Sequence, residues 1–542
     1  MTRLIVCSGE LKLLSSTFRV ADSKSRLRSL ALLPGATATP SRFIETPEFH
    51  HFCDSMDPKF VVPGAAKIES MQQALYMEQK KQLRDLLYEA RKLTLCLDLW
   101  TTKGMTSAHL GVTCTWLSPS RNEQLHALLS LVIMPHPHTS MNIRTALEQV
   151  IADWDIPYDK ILLVITDNGS NMIAAFKNME DSSDESEFAD DNESVTDENK
   201  DRNITSAVPA PKNLRHLFCA PHTLQLVVKI AISSTYFQPV LAKVKHIVHQ
   251  VKKSSKATEK LIQLAGKGLL SDCVTRWNSS LYMVSHFLEL REQITVIMDE
   301  HKWHDVSDAE WKKLETFVTP LRPFREHTDL LQCDRSVLSN LILAVLDLEC
   351  FLEDCRLPGC VAIAKSIKTS LHTRTQHIMN PTDENFEPLP AVASYLDPST
   401  LRQLLSTSGQ DDLLCAARQY ILKACRVSSA PEEDSTAAEG QVVAGPAANT
   451  ESASESTSAA AQPPPAKKFR FLASRLPTST SSAPQVATSA TIESKLGVYL
   501  VAVEQQSNDE DGGLSFWLKN CHRFPLLAPF ALDILAVPAS EA

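Results

Sequence analysis

Two aspartates carry the first chemical possibility in this chain. Asp98 lies in LCLDLWTT and Asp167 in VITDNGSN, each closing an apolar run. Apolar runs of this length read as strands. If the two strands are neighbours, their C-terminal ends bring two carboxylates within a few ångströms of each other. Paired carboxylates bind hard divalent cations and support two-metal phosphoryl transfer. A purely structural role competes for Asp167, because Asp-Asn-Gly is turn sequence and Asp often caps a helix. Asp98 is flanked by Leu97, Leu99 and Trp100, so it needs a partner wherever it is buried.

Metal-ligating cysteines make a weaker case. The chain has 13 cysteines, an odd number that suits a reducing compartment, and none forms a Cys-x-x-Cys pair. A zinc finger is therefore not expected. The spacing Cys350, Cys355, Cys360 is the nearest approach to a cluster and reads as buried or half-buried helical cysteines.

The elements that would position the two acids follow from hydropathy. Lys92 to Trp100, His109 to Leu117 and His126 to Met134 read as three strands with short polar links, an antiparallel meander. Asn142 to Trp154 places Ile143, Leu147, Ile151 and Trp154 on one helical face. Ile161 to Thr166 (ILLVIT) is a continuous apolar run, as in a central strand buried on both faces. Gly169 to Phe176 starts a helix, Leu214 to Cys219 suits a fifth strand, and a helix Thr223 to Ser234 follows. From there to about Cys425 the pattern is mostly helical, as in Tyr282 to Ile297 and Val337 to Glu353.

Composition sets the outer limits. The 542 residues are 43% hydrophobic and 22% charged, enough apolar material for a sizeable core. The formal charge of -10 argues against an obvious polyanion-binding surface. Much of that acid is concentrated in Glu180 to Asp201 (EDSSDESEFADDNESVTDENKD), which is expected to be a disordered loop. Its Ser and Thr residues suit an acidophilic kinase, although a plain solvated insertion accounts for them as well. Without this loop the remainder is close to neutral, and nucleic-acid binding stays open. No stretch approaches the ~18–20 apolar residues of a membrane span. The opening MTRLIVCSGELKLL lacks the apolar core of a signal peptide, so an intracellular protein is expected. Val427 to about Thr491 is rich in Ser, Ala, Thr, Pro and Glu and reads as a linker, with Lys467-Lys468-Phe469-Arg470 as a candidate nuclear-import signal.

The phrases LCLDLWTT, TDNGSNM, CAPHTLQLVV, TRWNSSLYM and RFPLLAPFALDILAVPAS occur in this order, with PEFHHFCDSMDPKFVVP ahead of them. Together they resemble the hAT superfamily of DNA transposases, and most nearly the zinc finger BED domain-containing proteins derived from such transposases. The resemblance implies an α/β fold. An RNase H-like core with a mixed five-stranded sheet would be interrupted by a large all-helical insertion and followed by a C-terminal hAT-type dimerisation segment. It matches Asp98 and Asp167 to the first two acids of an Asp-Asp-Glu triad, and Cys219 and His222 to a Cys-x-x-His motif. Arg276 and Trp277 match a DNA-binding Arg-Trp pair whose Trp stacks on an extruded base, a use that suits an aromatic face. Taken from the residues alone, Cys219 and His222 are helix-start packing and Trp277 is a core or anchoring Trp.

The implied map is as follows. Residues 1–42 form an atypical or disordered tail and 43–91 a helical lead-in. Residues 92–235 make the RNase H-like core, with a disordered acidic loop at 179–212. The helical insertion occupies 236–426, a disordered linker 427–491, and the dimerisation region 492–542. In the family the third acid follows the VPAS phrase, in a helix with a Ser-Glu-Arg signature. Here VPAS runs into Glu541-Ala542, so a site lacking its third carboxylate is expected, and two-metal catalysis is expected to fail there. No BED finger is expected, since residues 1–42 hold one Cys and no His. No cofactor is expected beyond residual Mg²⁺ or Mn²⁺ at Asp98 and Asp167, and no structural zinc.

Phe516, Trp517, Phe524, Leu526, Leu527, Phe530, Ile534 and Leu535 crowd one short C-terminal segment. About fifty residues cannot form a core alone, so this segment must dock on its own chain or on a second one. The expected partners are a second copy or a related hAT-type protein, together with DNA or chromatin and no membrane, in the nucleus. Three functions are open at this point. One is a domesticated, catalytically silent transposase-like regulator of transcription. The others are an active divalent-metal transposase or nuclease, and a truncated product without a selected role.

Overall fold

The computed structural model describes residues 30–32, 41–101, 107–176, 214–272, 277–332, 337–356, 360–427, 469–473, 492–505 and 512–540. Two lead-in helices, α1 (Pro47–Met56) and α2 (Ala65–Glu89), precede the sheet. Its strands are β1 (Leu93–Thr101), β2 (Ala108–Ser118), β3 (Glu123–Met134), β4 (Ile161–Thr166) and β5 (His216–Phe218). Helix α3 (Ser140–Asp153) connects β3 to β4, and α4 (Ser170–Phe176) follows β4.

The sheet order is β3-β2-β1-β4-β5. The first three strands form the antiparallel meander, while β1–β4 and β4–β5 are parallel. This is the expected mixed five-stranded sheet. The period of two in β1 sorts its side chains. Leu93, Leu95 and Leu97 enter one core with Leu110, Val112, Ile143, Leu147 and Val164, under α3. Cys96 enters the other core with Leu163, Ile165 and Leu217. Thr139 caps α3 by accepting the Asn142 N–H at 3.2 Å, and Trp154 Nε1 donates to the Leu129 carbonyl at 3.0 Å, fastening the helix to β3.

The second face is covered by α5 (Ala220–Ile232). That helix begins three residues earlier than expected, because Pro221 is tolerated in a first turn, where its missing N–H has no partner to lose. Then come α6 (Gln238–Lys253), α7 (Ser255–Ala265), α8 (Trp277–Glu289), α9 (Arg291–His301) and α10 (Asp308–Gln332). They are followed by α11 (Asn340–Asp354), α12 (Val361–Met379), α13 (Leu389–Leu396), α14 (Pro398–Leu405) and α15 (Asp411–Val427). A single turn, α16 (Arg470–Ala473), and the helices α17 (Ile492–Gln505), α18 (Gly513–Asn520) and α19 (Leu527–Leu535) complete the chain. Among the described residues no helix is long and apolar enough to cross a membrane.

The C-terminal helices return to the sheet. Gln124 on β3 donates to the Ala536 carbonyl at 2.9 Å, and Arg91, just ahead of β1, meets Asp533 at 3.5 Å. Buried aromatics fix α17 and α18 to the helical part. The Tyr499 hydroxyl donates to the Tyr395 carbonyl at 2.9 Å, and Trp517 Nε1 donates to that of Leu396 at 2.7 Å.

Two stretches differ from expectation. Inside the proposed linker, Phe469 and Leu472 are buried and α16 packs on α11, since two large apolar side chains in a polar stretch find a core to enter. In the proposed tail, Ala31 is buried and its carbonyl accepts from Gln72. The acidic loop and the Lys467-Lys468 pair lie outside the described residues.

Candidate functional site

The last paired positions of β1 and β4 are Leu97 and Thr166. Asp98 and Asp167 come next. Both share the parity of the paired residues Cys96 and Ile165, so they belong to the face that α5 covers. Neighbouring strands lie ≈ 4.8 Å apart, which sets the spacing of the two backbones. Asp98 is exposed and Asp167 half-buried.

Each acid sits in a shaped setting. Asp98 pairs across the ladder with Gly111. A Cβ at Gly111 would stand 3.0 Å from Cζ3 of Trp100, so the absent side chain makes room for the indole. The Trp100 ring also stacks on His109, with centroids 6.0 Å apart. Asp167 Oδ1 accepts the Gly169 N–H at 3.0 Å, the Asx turn that launches α4. Thr166 shares a hydrogen bond with His216 Nε2 at 2.9 Å. Burial, with the nearby His377, holds the His216 imidazole down at about 4.

Cys219 contributes through its backbone. Its N–H donates to the Thr166 carbonyl at 2.8 Å, and its own carbonyl accepts the Thr223 hydroxyl at 3.0 Å. This joins the end of β4 to the start of α5. The first turn of α5 then carries His222 to the two acids. Burial lowers the His222 pKa, Asp167 and Asp98 pull it back up, and Arg374 on α12 pushes it down. His222 thus lies within electrostatic reach of both acids.

The chain after α19 passes the same place. The Ala220 N–H donates to the Ala539 carbonyl at 3.1 Å, and the Cys96 thiol faces the Ser540 carbonyl at 3.8 Å. A further strap joins Leu338 N–H to the Val537 carbonyl at 2.9 Å. Glu541 and Arg276 lie outside the described residues. Trp277 opens α8 by its backbone.

Of the C-terminal set, Phe516, Trp517, Phe524, Leu527, Ile534 and Leu535 are buried in this chain's own core, and Phe530 packs against it. Leu526 is 53% exposed. Cys355 and Cys360 are buried and Cys350 half-buried; burial and the neighbouring Cys355 push the Cys360 thiol up to about 11.

Sequence reasoning did not single out Trp100, Gly111, Arg374 or the Ala539–Ser540 strap for this site. Trp100 was within reach, being two residues from Asp98 on the same strand face. Arg374 and the strap have no local signal.

The resemblance implies a divalent cation at this place. Asp98, Asp167 and the Arg374 guanidinium all act electrostatically on the His222 imidazole. Among the described residues no three His, Cys, Asp or Glu side chains converge closely enough to hold a metal ion.

Two family models match the chain: the ZBED1 RNase-like domain over residues 96–193 and the ZBED1 RNase-like helical domain over residues 217–319. The chain is 21% identical over 527 residues to the zinc finger BED domain-containing protein RICESLEEPER 1 of Oryza sativa subsp. japonica, covering 92% of this chain and 67% of that protein. It is 23% identical over 380 residues to a putative AC transposase of Zea mays, covering 66% of this chain and 43% of the maize protein. A putative transcriptional regulator, tpeD, of Talaromyces stipitatus is 21% identical over 357 residues, 60% of this chain and 40% of its own length. The chain thus spans less than half of the maize and fungal relatives.

Proposed function

From a chain that its family models and relatives mark as hAT transposase-derived, we propose a nuclear protein that does not cut DNA and works by association in the control of transcription. Its partners are a second hAT-type chain, either another copy or a relative, and DNA or chromatin. The observation that carries the silent reading is the positive charge of Arg374, which acts on His222 beside the two acids. Asp98 and Asp167 follow the last paired positions of adjoining strands, and both act electrostatically on His222. Arg374 lowers the appetite of the site for a cation. The transcriptional and nuclear part leans on the relatives. The dimer part leans on the exposed Leu526 beside the half-buried Phe530.

A strand-transfer assay with Mg²⁺ or Mn²⁺ tests the silent reading. The full chain should give no more product than its Asp167→Ala variant. Metal-dependent cleavage that Asp167→Ala abolishes would establish the alternative, an active recombinase, which the side-by-side acids favour. Sedimentation of the full chain tests association: a dimer weakened by Leu526→Glu is expected, and a monomer at all concentrations refutes it.

A further inference from the structure

Phe469 and Leu472 are 4% and 2% exposed, although residues on both sides are mostly Ser, Ala, Thr and Pro. The Phe469 ring lies on that of His327, with centroids 5.9 Å apart and planes at 13°, and Phe471 meets Phe351 at 4.7 Å. The polar contact is more selective. Leu472 is the third residue of α16, so its N–H has no partner within the turn. It donates to Asp347 Oδ1 at 2.6 Å, while Asp347 Oδ2 holds His327 Nε2 at 2.8 Å.

Asp347 is 1% exposed and His327 3%. One carboxylate oxygen is fixed inside the helical core. The other is given to a main-chain N–H from a segment far away in sequence. A buried charged acceptor left without a donor is costly, so this oxygen requires an occupant. The surrounding wells take an aromatic side chain and an aliphatic one three residues later. Side-chain wells combined with an acceptor for a main-chain N–H are the working parts of a linear-peptide site.

We propose that the groove formed by His327, Asp347 and Phe351 is a binding site for a single helical turn of the form Phe-x-x-Leu. Residues 469–473 fill it in cis, and the same segment of a second copy of this chain is the partner it fits. A four-residue turn is far below the length at which a helix holds itself in water, so its order comes from the groove. The 18 residues between Ala473 and Ile492 in sequence have a contour of about 60 Å at most, an outer limit on how far the receiving groove can lie. A tethered segment sits at an effective concentration near millimolar, so modest intrinsic affinity suffices in cis and leaves it replaceable in trans.

The test uses the full chain carrying Phe469→Ala and Leu472→Ala, titrated with a fluorescein-labelled peptide spanning residues 466–475. Saturable binding is expected with a Kd of about 10 μM to 1 mM, and binding about tenfold weaker to the unaltered chain, whose groove is filled. A peptide N-methylated at Leu472 lacks the N–H and should bind about tenfold more weakly. Absence of saturable binding by a variant with native circular dichroism overturns the proposal, as does equal binding of the N-methylated peptide. If the double variant does not fold, unlabelled peptide at millimolar concentration is added to the unaltered chain. It should then speed hydrogen exchange at the Phe471 and Leu472 amides by about tenfold, and unchanged exchange overturns the proposal.

Discussion

Asp98 and Asp167 stand one residue beyond the ladder pair Leu97 and Thr166, on adjoining parallel strands and on one face of the sheet. The imidazole of His222 registers both of them. Three residues separated widely in sequence are thus brought to one electrostatic locus by the crossover α3 and by the cap that Cys219 makes on β4.

That locus can be read by titration. Burial holds the His222 pKa below its ordinary value and the two carboxylates oppose the shift. Asp167→Asn and Asp98→Asn should each lower it further, Asp167→Asn the more. Arg374→Gln should raise it. NMR titration of the His222 ring protons checks the three directions, and a ring indifferent to either acid would separate it from the pair.

Trp100 and Gly111 should be thermodynamically coupled. A Val at 111 must push against an indole 3.0 Å from its Cβ, so Gly111→Val is expected to cost about 1–3 kcal/mol. In a Trp100→Ala background the cost should fall by roughly half or more, as contacting sites couple. Denaturant melts of the four proteins in this cycle give the coupling.

Trp517 joins the C-terminal helices to the rest through its indole bond to Leu396 and its stacking on Tyr499 at 4.9 Å. Trp517→Ala should destabilise the chain by about 3–5 kcal/mol, whereas a surface truncation at Leu526 should cost under about 1 kcal/mol. Chemical unfolding distinguishes a core anchor from a patch reserved for a partner.

Two half-buried groups should oppose each other below neutrality. Burial raises Asp533 to about 6, so between about pH 6 and 4 the folded chain binds its proton more tightly than the unfolded chain, and stability rises as pH falls. Burial lowers His216 to about 4, so between about pH 6.5 and 4 the unfolded chain binds the extra proton and stability falls as pH falls. Each contribution is on the order of 2–3 kcal/mol. Asp533→Asn should therefore steepen the acid loss of stability and His216→Gln should flatten it, as measured by melts at intervals from pH 7 to 4.

The sheet was legible because its signals are local. The alternation in LTLCLDLW and the unbroken run ILLVIT each fix a strand type, and their pairing places Asp98 beside Asp167 without further information. Helix starts were less legible: a Pro at the second position looks like a breaker, yet in α5 it sits in the first turn. Phe469 and Leu472 were hidden by their polar surroundings, since composition averages over a window and two residues suffice to anchor a turn. Arg374 reaches the site only through the packing of α12 on α5, which no local pattern encodes.

The contact between Cys96 and the Ser540 carbonyl spans 444 positions of sequence. On the ribosome, β1 would wait on the order of 20–90 s for that segment at ordinary elongation rates. Helix α5 can lie over the Cys96 face of the sheet well before then, but the C-terminal strap at Ser540 arrives only at the end of that interval. The sheet and its first covering helices can therefore assemble during synthesis, while the last contact to β1 forms only once residue 540 has left the ribosome.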